Sequence, residues 1–365
     1  LFSQQCCDAE RISLYLHTMR RQAEQLSVAA QGLKFTSFAV GGGTPLILDE
    51  GQLEELFCLA ELFGVHPSRV FTSVETSPEY TQKSVLRQLR ARGVERLSMG
   101  VQSFNETELK KLKRRPGLGT VVGALENIVE AGFPQFNLDL IYGIEGQTVE
   151  SFMRSLNTAL TYRPNELFIY PLYVRPGTRI DVRSTDDIGY AIYKSARELL
   201  VGQGFVQTSM RRFVRRETTE TEFSCGDEVM LSCGAGGRSY LGNLHYATPY
   251  AVRQQAIADE IDHYIRTTDF MTAANGFLLS TEEMQIRFII KNLMYHRGVD
   301  LAEYEKRFGE KPDRNLFREF TDRGWIEETG RIVRLTEEGM AYSDYIGQAF
   351  ISPAVRKLMS EYVYP

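Results

Sequence analysis

The sequence is poor in cysteine, has no long apolar run and carries no excess of positive charge. Its 365 residues include five cysteines, too few and too scattered for a disulfide scaffold, at Cys6, Cys7, Cys58, Cys225 and Cys233. The 42 basic and 47 acidic side chains give a formal net charge of −5, which argues against a nucleic-acid groove or a polybasic membrane contact. No apolar run approaches the ~20 residues that a membrane span needs. We therefore expect a cytoplasmic globular protein with neither nucleic-acid nor membrane partners.

What is present is a regular alternation of apolar strands and amphipathic helices over the first two-thirds of the chain. Strand ends recur near residues 40, 75, 102, 139 and 170, and each interval is long enough for one strand, one crossover helix and two loops. The strands are predicted to be apolar on both faces, as buried parallel strands are. Because each strand end carries a polar residue or a glycine, the pattern favours an α/β fold with a closed or partial (β/α) barrel over a doubly wound sheet.

This regularity ends near residue 204, and the sequence predicts three regions. Residues 1–204 hold the barrel, 205–279 a glycine-rich extension with a linker helix, and 280–365 a small α+β domain. In the last region three helical segments precede a hairpin with its turn near Gly330, and Thr336 caps a final helix. This arrangement is winged-helix-like. Its acidic composition favours a packing or lid role, with a DNA-binding regulator as the alternative.

The strongest single motif is the run Gly41-Gly42-Gly43-Thr44-Pro45 after the first predicted strand. Consecutive glycines let the backbone approach a ligand closely, and Thr44 adds a hydroxyl group. A tight turn between strand and helix is the alternative interpretation. The run is not a phosphate-binding loop, because the lysine and hydroxyl residues of that motif do not follow it.

Charged and amide side chains follow or interrupt the next strands. Glu75 could bind an ammonium group or ribose hydroxyls, or could cap a helix, and Gln102 ends the following strand. Asp139 lies within an apolar strand, where an unpartnered charge is costly, and acidic residues bind the ribose diol in dinucleotide sites. Arg114 could clamp a carboxylate or belong to a solvated basic run. Together these side chains would bind an amine, a diol and a carboxylate, which are the groups of an amino-acid nucleoside.

In this order and spacing, the motifs GGGTP, ExxP, GVQSF, LKRRP and DLIYGxxGQT resemble the radical S-adenosylmethionine superfamily. Within it, the chain is similar to the oxygen-independent coproporphyrinogen III oxidase-like branch over residues 34–246 and 280–350. The resemblance implies a partial (β/α)6 barrel, with its first strand upstream of this chain, and a small C-terminal domain. Glu145 stands where the branch usually has proline, which affects only the local loop.

The resemblance also implies which residues would contact S-adenosylmethionine: Gly41, Gly42, Gly43, Thr44, Glu75, Gln102, Arg114, Asp139, Ile141, Tyr170 and Leu172. The glycines and Thr44 would meet the methionyl amino group, and Arg114 would bind the carboxylate. Gln102 and Asp139 would hold the ribose, with Glu75 lining the same pocket. Ile141, Tyr170 and Leu172 would pack against the adenine.

Two cofactors are implied, S-adenosylmethionine and a 4Fe–4S cluster. The implied partners are a small-molecule substrate and a one-electron donor such as flavodoxin or ferredoxin. The CxxxCxxC motif that ligates the cluster in the superfamily would lie immediately upstream of Leu1. Cys6 and Cys7 cannot replace it, because adjacent cysteines lack the spacing to bind three irons. We therefore expect no metal ligands within the chain itself.

A glycine-rich segment near residues 225–246 is the predicted location of the catalytic residues. Where the heme-chaperone branch has an HNxxYW motif, this chain has no histidine between 225 and 240, which argues against heme handling of that kind. The candidates for the substrate pocket are Cys225, Asp227, Glu228, Arg238, Asn243 and His245. A structural glycine-rich loop is the alternative interpretation, since polar residues on loops are common.

The implied function is a radical oxidoreductase that cleaves S-adenosylmethionine to a 5′-deoxyadenosyl radical and abstracts hydrogen from a small molecule, as a coproporphyrinogen oxidase does. Binding of porphyrinogen propionates would need a basic cluster, and the only obvious one is Arg211, Arg212, Arg215 and Arg216. Two alternatives stay open. One is radical C-methylation or cyclopropanation with two S-adenosylmethionine molecules, and the other is a non-catalytic heme-binding chaperone.

Overall fold

The computed structural model of the chain describes residues 8–174, 185–216, 229–249, 251 and 253–362. The predicted site residues that lie outside these ranges are Cys225, Asp227 and Glu228, together with the adjacent pair Cys6 and Cys7. Within the described ranges, no helix is both long and apolar enough to cross a membrane.

A seven-stranded sheet forms the centre of the N-terminal part. Its five parallel strands are β1 (Ser37–Val40), β2 (Phe71–Thr76), β3 (Arg96–Gln102), β4 (Gln135–Tyr142) and β5 (Glu166–Pro171). A hairpin of β6 (Phe205–Gln207) and β7 (Arg212–Arg215) follows, and β7 pairs with β5 in antiparallel orientation. The strand order β1-β2-β3-β4-β5-β7-β6 leaves the sheet open among the described residues. The predicted α/β fold is confirmed.

Seven helices precede, connect or follow the parallel strands. They are α1 (Ala9–Ala29), α2 (Glu50–Glu61), α3 (Lys83–Ala91), α4 (Glu106–Lys111), α5 (Leu118–Ala131), α6 (Val149–Thr161) and α7 (Asp186–Gly202). Two of their N-termini have capping boxes: Asp49 accepts from the Gln52 N–H at α2, and Thr148 accepts from the Ser151 N–H at α6. Helix α5 ends at Gly132 in the left-handed conformation that glycine adopts without a steric penalty.

The two faces of the parallel strands differ in chemistry, so the expectation that both are apolar is wrong. Val74, Leu97 and Leu138 lie on one face, fully buried in a core that they share with Phe57 and Leu125 of the helices. Because side chains alternate along a strand, the intervening residues lie on the other face. That face is polar, and its residues include Ser73, Glu75, Arg96, Ser98, Asn137, Asp139 and Glu166. The alternation is visible in the sequence and indicates one face for the core and one for a ligand.

A buried ion-pair network lies at the centre of the polar face. The Glu166 carboxylate accepts hydrogen bonds from Arg96 Nε at 2.9 Å and from Arg212 Nη2 at 2.5 Å. Arg96 Nη1 also donates to Ser73 Oγ at 3.0 Å. Burial raises the pKa of Glu166, but the two guanidinium groups outweigh it and lower that pKa overall. Arg212, predicted as part of a substrate-binding arginine cluster, is thus paired inside the protein.

A second, antiparallel sheet lies in the glycine-rich extension. Its strands are β8 (Val229–Met230), β9 (Arg238–Leu241), β10 (Leu244–Ala247) and β11 (Gly276–Leu278), in the order β11-β10-β9-β8. Helix α8 (Gln254–Arg266) packs on α1, where Arg11 Nη2 and Asp262 Oδ1 are 2.7 Å apart. Gln22 of α1 accepts hydrogen bonds from the Gly234 N–H at 2.8 Å and the Tyr264 hydroxyl at 2.7 Å. These bonds fix the glycine-rich segment against the first helix.

The C-terminal region combines short helices with a three-stranded sheet. Its elements are α9 (Thr281–Leu293), β12 (Val299–Asp300), α10 (Leu301–Phe308), α11 (Asn315–Asp322), β13 (Ile326–Thr329), β14 (Ile332–Leu335), α12 (Glu337–Ala341), α13 (Ser343–Ala349) and α14 (Pro353–Glu361). Strand β14 lies between β12 and β13. The arrangement agrees with the winged-helix-like prediction, except that the single predicted final helix is divided into α12, α13 and α14.

The C-terminal region contacts the N-terminal part through α7. Tyr190 of α7 stacks on Tyr342 with ring centroids 5.8 Å apart, and Arg197 forms an ion pair with Glu337. The hairpin of β6 and β7 belongs to the main sheet, so it connects the first two of the three predicted regions. The division into those regions stays a prediction.

Candidate functional site

The carboxyl ends of the parallel strands meet at one edge of the sheet, as in other parallel α/β sheets that place their sites there. The turn at residues 41–43 follows β1, Glu75 lies near the end of β2, and Gln102 ends β3. Asp139 lies in β4 and Tyr170 in β5. Neighbouring strands pair in parallel, with one register shift between β3 and β4, so the structure brings these predicted residues to the same edge.

The glycine turn is shaped around the carboxylate of Glu75. The Gly42 N–H donates to Glu75 Oε2 at 3.2 Å, and Gly42 has a φ of +112°, which side chains disfavour. A Cβ at Gly41 would lie 3.0 Å from the Glu75 carboxyl carbon, whereas a Cβ at Gly43 would meet no atom within 4 Å. The Glu75 side chain keeps exposed surface, yet the surrounding protein raises its pKa by desolvation, opposed by the Gly42 hydrogen bond and by Arg96. Glu75 thus borders open space.

Gln102 adopts a strained backbone conformation at the end of β3. Its φ is +74°, and the register of β3 and β4 shifts between Gly100 and Gln102. A non-glycine residue in this region costs on the order of 1 kcal/mol, which surrounding contacts must offset. The Gln102 amide nitrogen would lie 2.5 Å from a Cβ at Gly100, so a side chain at position 100 would displace the Gln102 amide.

Asp139 is a desolvated carboxylate on the polar face. Burial raises the pKa of Asp139 to about 6, although a hydrogen bond from Asn137 and the charge of Arg96 oppose the shift. Asn137 Nδ2 donates to Asp139 Oδ1 at 2.7 Å and to Ser98 Oγ at 2.7 Å. The Asn137 amide oxygen is buried and has no hydrogen-bond partner in the described residues. The group therefore has unused hydrogen-bonding capacity beside a carboxylate suited to a diol.

Arg114 lies beyond α4, on the loop that follows β3. Its backbone N–H donates to the Leu109 carbonyl at 3.0 Å, which ends the helix and fixes the loop. The Arg114 Nε is buried without a hydrogen-bond partner among the described residues. Burial lowers the pKa of Arg114, while the charges of Asp139 and Glu79 oppose that shift. A buried guanidinium donor without an acceptor fits a ligand carboxylate.

A small apolar cluster, separate from the main core, lies at the ends of β4 and β5. Its members are Leu112, Ile141, Ile144, Leu172 and Val174. Ile141 pairs in register with Tyr170, whose ring stacks on Phe168 with centroids 5.6 Å apart and planes 11° apart. The three residues predicted to pack against adenine are therefore neighbours. The sequence interpretation missed the other cluster members and Phe168, although Leu112 and Ile144 lie inside the recognised motifs.

A second group that the sequence interpretation missed is the buried carboxylate of Glu108 in α4. It accepts hydrogen bonds from Ser103 Oγ at 2.6 Å, Ser151 Oγ at 2.7 Å and Gln147 Nε2 at 2.9 Å. The Gln147 side-chain oxygen accepts from the Gly143 N–H at 2.8 Å. This network joins the loop after β3 to the loop after β4. It therefore holds together the segments that carry Gln102, Arg114 and the apolar cluster.

The three substrate-pocket candidates within the described residues lie on the second sheet or in one of its turns, and two of them, Arg238 and His245, are also the catalytic candidates there. Arg238 begins β9 and is exposed, Asn243 occupies the turn before β10, and His245 lies in β10. The His245 ring meets Tyr240 edge to face at 4.6 Å, and the Arg287 guanidinium lies 4.7 Å from the Tyr240 ring centroid. Burial and the charge of Arg287 lower the pKa of His245. Their catalytic role stays a prediction.

The residues that the structure describes contain no candidate metal site. No group of three His, Cys, Asp or Glu side chains there could hold a metal ion. The thiols of Cys58 and Cys233 are free, and burial raises the pKa of Cys233 to about 12. The described residues thus fit S-adenosylmethionine through Arg114 and Asp139, whereas they offer no ligand set for an iron–sulfur cluster.

Taken together, these features define an α/β protein with a polar ligand site, flanked by an apolar cluster, at the carboxyl edge of a parallel sheet. Residues 7–159 match the model of the Radical SAM superfamily, and residues 279–342 match the HemN C-terminal domain. The chain thus carries a radical S-adenosylmethionine domain and a HemN-type C-terminal domain. The superfamily uses S-adenosylmethionine and a 4Fe–4S cluster, so the cofactor prediction is confirmed at the level of the family.

Relatives of two kinds are similar to the chain. The heme chaperone HemW of Bacillus subtilis (strain 168) is 25% identical over 372 residues, which cover 96% of this chain and 94% of that protein. The oxygen-independent coproporphyrinogen III oxidase of Salmonella typhimurium (strain LT2) is 35% identical over 292 residues, which cover 74% and 62%. The solved structure of coproporphyrinogen III oxidase (HemN) from Escherichia coli has a TM-score of 0.79 at 22% identity, covering 94% of this chain and 84% of that chain. It confirms the fold, and similarity alone leaves both activities as candidates.

Proposed function

We propose that the chain binds S-adenosylmethionine at the carboxyl edge of the sheet and is a radical enzyme that abstracts hydrogen from a small molecule, as a coproporphyrinogen oxidase does. The observation that carries the proposal is the buried Arg114 Nε, which has no partner among the described residues and lies near the charge of Asp139. Leaving a buried donor without an acceptor is costly, and a ligand carboxylate would remove that cost. The methionyl part of S-adenosylmethionine has such a carboxylate.

The remaining groups at this edge are proposed to bind other parts of the same ligand. The turn at residues 41–44 and Glu75 would bind the methionyl amino group, because together they offer a carboxylate and accessible backbone. Asp139 would accept hydrogen bonds from the ribose hydroxyls, and Gln102 would add an amide. The adenine would lie on the apolar cluster, in contact with Ile141, Tyr170 and Leu172.

The protein's contribution is binding and orientation. When bound, S-adenosylmethionine and a reduced 4Fe–4S cluster supply the radical chemistry. The described residues hold the nucleoside in one orientation, and the apolar cluster keeps water away from its base. Ligation of the cluster is assigned to none of them. A small-molecule substrate and a flavodoxin or ferredoxin as electron donor complete the proposal.

The test uses protein expressed from the intact gene and reconstituted anaerobically with iron and sulfide. Dithionite and S-adenosylmethionine are added, and 5′-deoxyadenosine is measured by mass spectrometry. We expect 5′-deoxyadenosine from the parent and at least about tenfold weaker S-adenosylmethionine binding by Arg114→Gln, with Arg115→Gln as the matched control. An iron–sulfur spectrum without any 5′-deoxyadenosine would contradict the proposal.

The same samples test the methylation alternative. A C-methyltransferase or cyclopropanase that consumes two S-adenosylmethionine molecules releases S-adenosylhomocysteine beside 5′-deoxyadenosine. Release of both products in the presence of substrate would favour this alternative, whereas 5′-deoxyadenosine alone favours hydrogen abstraction.

A heme-binding chaperone is the second candidate function. The observation that favours it is the match to the Bacillus subtilis heme chaperone HemW over 96% of this chain. Heme titration of the purified protein distinguishes the two functions. A stoichiometric complex with a sharp Soret band would support the chaperone, and no such band at micromolar protein would exclude it.

A further inference from the structure

Three side chains meet where the C-terminal region covers the end of β5. They are Tyr173 in the loop after β5, Arg211 just before β7, and Asp344 of α13. Arg211 Nη2 donates to Asp344 Oδ1 at 2.5 Å, and the Tyr173 hydroxyl donates to the other oxygen of the same carboxylate. The Arg211 guanidinium also lies 5.6 Å from the centroid of the Tyr173 ring. Two donors from the N-terminal part thus converge on one carboxylate from the C-terminal region.

This group lies directly beside the proposed nucleotide site. Tyr173 follows Leu172 of the apolar cluster, and the Arg211 carbonyl accepts the Ile169 N–H at 2.9 Å. The positive charge of Arg211 acts on the hydroxyl groups of both Tyr142 and Tyr170, although burial is the main cause that raises their pKa values. A ligand at the carboxyl edge of the sheet would therefore pass close to Arg211.

The chemistry of the group is that of an exchangeable carboxylate site. The side chains of Arg211 and Asp344 are 31% and 36% exposed, so the ion pair is partly open to solvent, which screens it. Arginine and tyrosine are suited to any carboxylate, and Asp344 demonstrates that both reach one. Two other arginines of the predicted cluster are occupied elsewhere. Arg212 pairs with buried Glu166, and Arg215 donates to the Pro164 carbonyl at 3.0 Å.

We propose that Arg211 and Tyr173 bind a carboxylate of the substrate and that Asp344 occupies their site when the substrate is absent. The proposal rests on the proposed function, since it places this carboxylate on the molecule from which hydrogen is abstracted. It makes Arg211 a specificity-determining residue. It also links the C-terminal region to substrate binding, because the arriving carboxylate releases Asp344 from the sheet.

The test measures binding of coproporphyrin III, a tetracarboxylate probe, to the reconstituted protein by fluorescence titration. Its tetramethyl ester is the uncharged control probe. We expect Arg211→Gln to weaken binding of the acid about tenfold and Tyr173→Phe to weaken it about threefold. Asp344→Asn should tighten it about threefold, because an internal competitor is removed. Arg216→Gln, an exposed arginine of the same run, is the matched control and should leave binding unchanged.

Several results would overturn the proposal. One is equal binding of acid and ester by the parent, another is no binding of the acid, and a third is weakening of acid binding by Asp344→Asn. The production of 5′-deoxyadenosine without porphyrin is measured in the same preparations. Loss of that product with intact, Arg211-dependent porphyrin binding contradicts the proposed function alone, so the two failures are distinguishable.

Discussion

At the scale of single residues, the buried carboxylate of Asp139 is expected to favour ligand binding and to lower the stability of the folded protein. Its pKa of about 6 lies above its ordinary value of 3.8, so the folded state holds its proton more tightly than the unfolded state. The unfolding free energy therefore falls as the pH rises from about 4 to about 6. Asp139→Asn should remove this slope and stabilise the ligand-free protein well above pH 6 by up to about 3 kcal/mol. Urea unfolding between pH 4 and pH 8 measures both the slope and the gain in stability, with exposed Asp322→Asn as the control.

The same substitution should weaken S-adenosylmethionine binding, because an amide oxygen is a poorer acceptor for ribose hydroxyls than a carboxylate. The affinity of the parent should likewise fall as the pH drops below about 6 and Asp139 becomes protonated. Isothermal titration across this pH range provides the measurement. An Asp139→Asn variant that is stabilised but binds as tightly as the parent would show that Asp139 does not contact the ligand.

The glycine turn offers a second prediction at this scale. Gly41→Ala places a methyl group 3.0 Å from the Glu75 carboxyl carbon, so we expect Glu75 to shift, with about tenfold weaker S-adenosylmethionine binding. Gly43→Ala meets no atom within 4 Å, so the ligand-free protein should keep its stability. Thermal unfolding and binding are measured for both variants. If Gly43→Ala leaves binding unchanged as well, the ligand does not approach the turn at residue 43.

At the scale of elements, the network around Glu108 joins two loops that the strands alone do not position. Glu108→Gln keeps the size of the side chain but replaces one acceptor oxygen with a donor, so at least one of its three partners loses its acceptor. We expect a loss of about 1–3 kcal/mol in stability. The KM for S-adenosylmethionine should rise while kcat stays near the parent value, because the network around Glu108 positions the ligand-binding loops without itself touching the ligand.

Glu106→Gln, an exposed substitution in the first turn of the same helix, is the matched control. A Glu108→Gln variant with reduced stability and an unchanged KM would assign the network a structural role only.

The strands of the parallel sheet were accessible from the sequence, whereas the β6–β7 hairpin was not. Apolar segments between amphipathic helices predict β1 to β5, because strands and helices alternate at regular intervals and glycines mark the ends of helices. The hairpin segment is rich in arginine and follows the point near residue 204 where the regular alternation of strands and helices ends. Arg212 is stable there only because Glu166, 46 residues earlier, faces it across the sheet. A pairing of that kind depends on tertiary structure and leaves no local pattern.

The residues of the candidate site also divide into those that the sequence predicts and those that it does not. Gln102, Asp139 and the glycine turn lie within recognisable motifs, so their convergence at one edge could be predicted from strand direction. Phe168 and Glu108 could not, because their importance depends on what packs beside them.

At the scale of the whole molecule, Glu166 connects parts of the sheet that are far apart in the chain. Glu166→Gln would leave two buried guanidinium groups without their anion, so we expect a loss of about 3 kcal/mol in unfolding free energy at pH 7. Because the pKa of Glu166 is lowered, its contribution should be present above pH 4.5 and decrease as the pH falls below that value. Chemical unfolding at pH 7 and pH 4 checks both statements, with exposed Glu126→Gln as control. Equal destabilisation at both pH values would count against the ion pairs.

The two-sided chemistry of the strands has a consequence for protein engineering. Odd positions of β2 and β4 and even positions of β3 and β5 lie on the polar face, and the intervening positions belong to the core. The core set serves folding, and the polar set is available for recognition except where the ion pairs of Glu166 serve stability. Combinatorial libraries that diversify the polar set while keeping Arg96 and Glu166 would therefore change ligand recognition and leave the core intact.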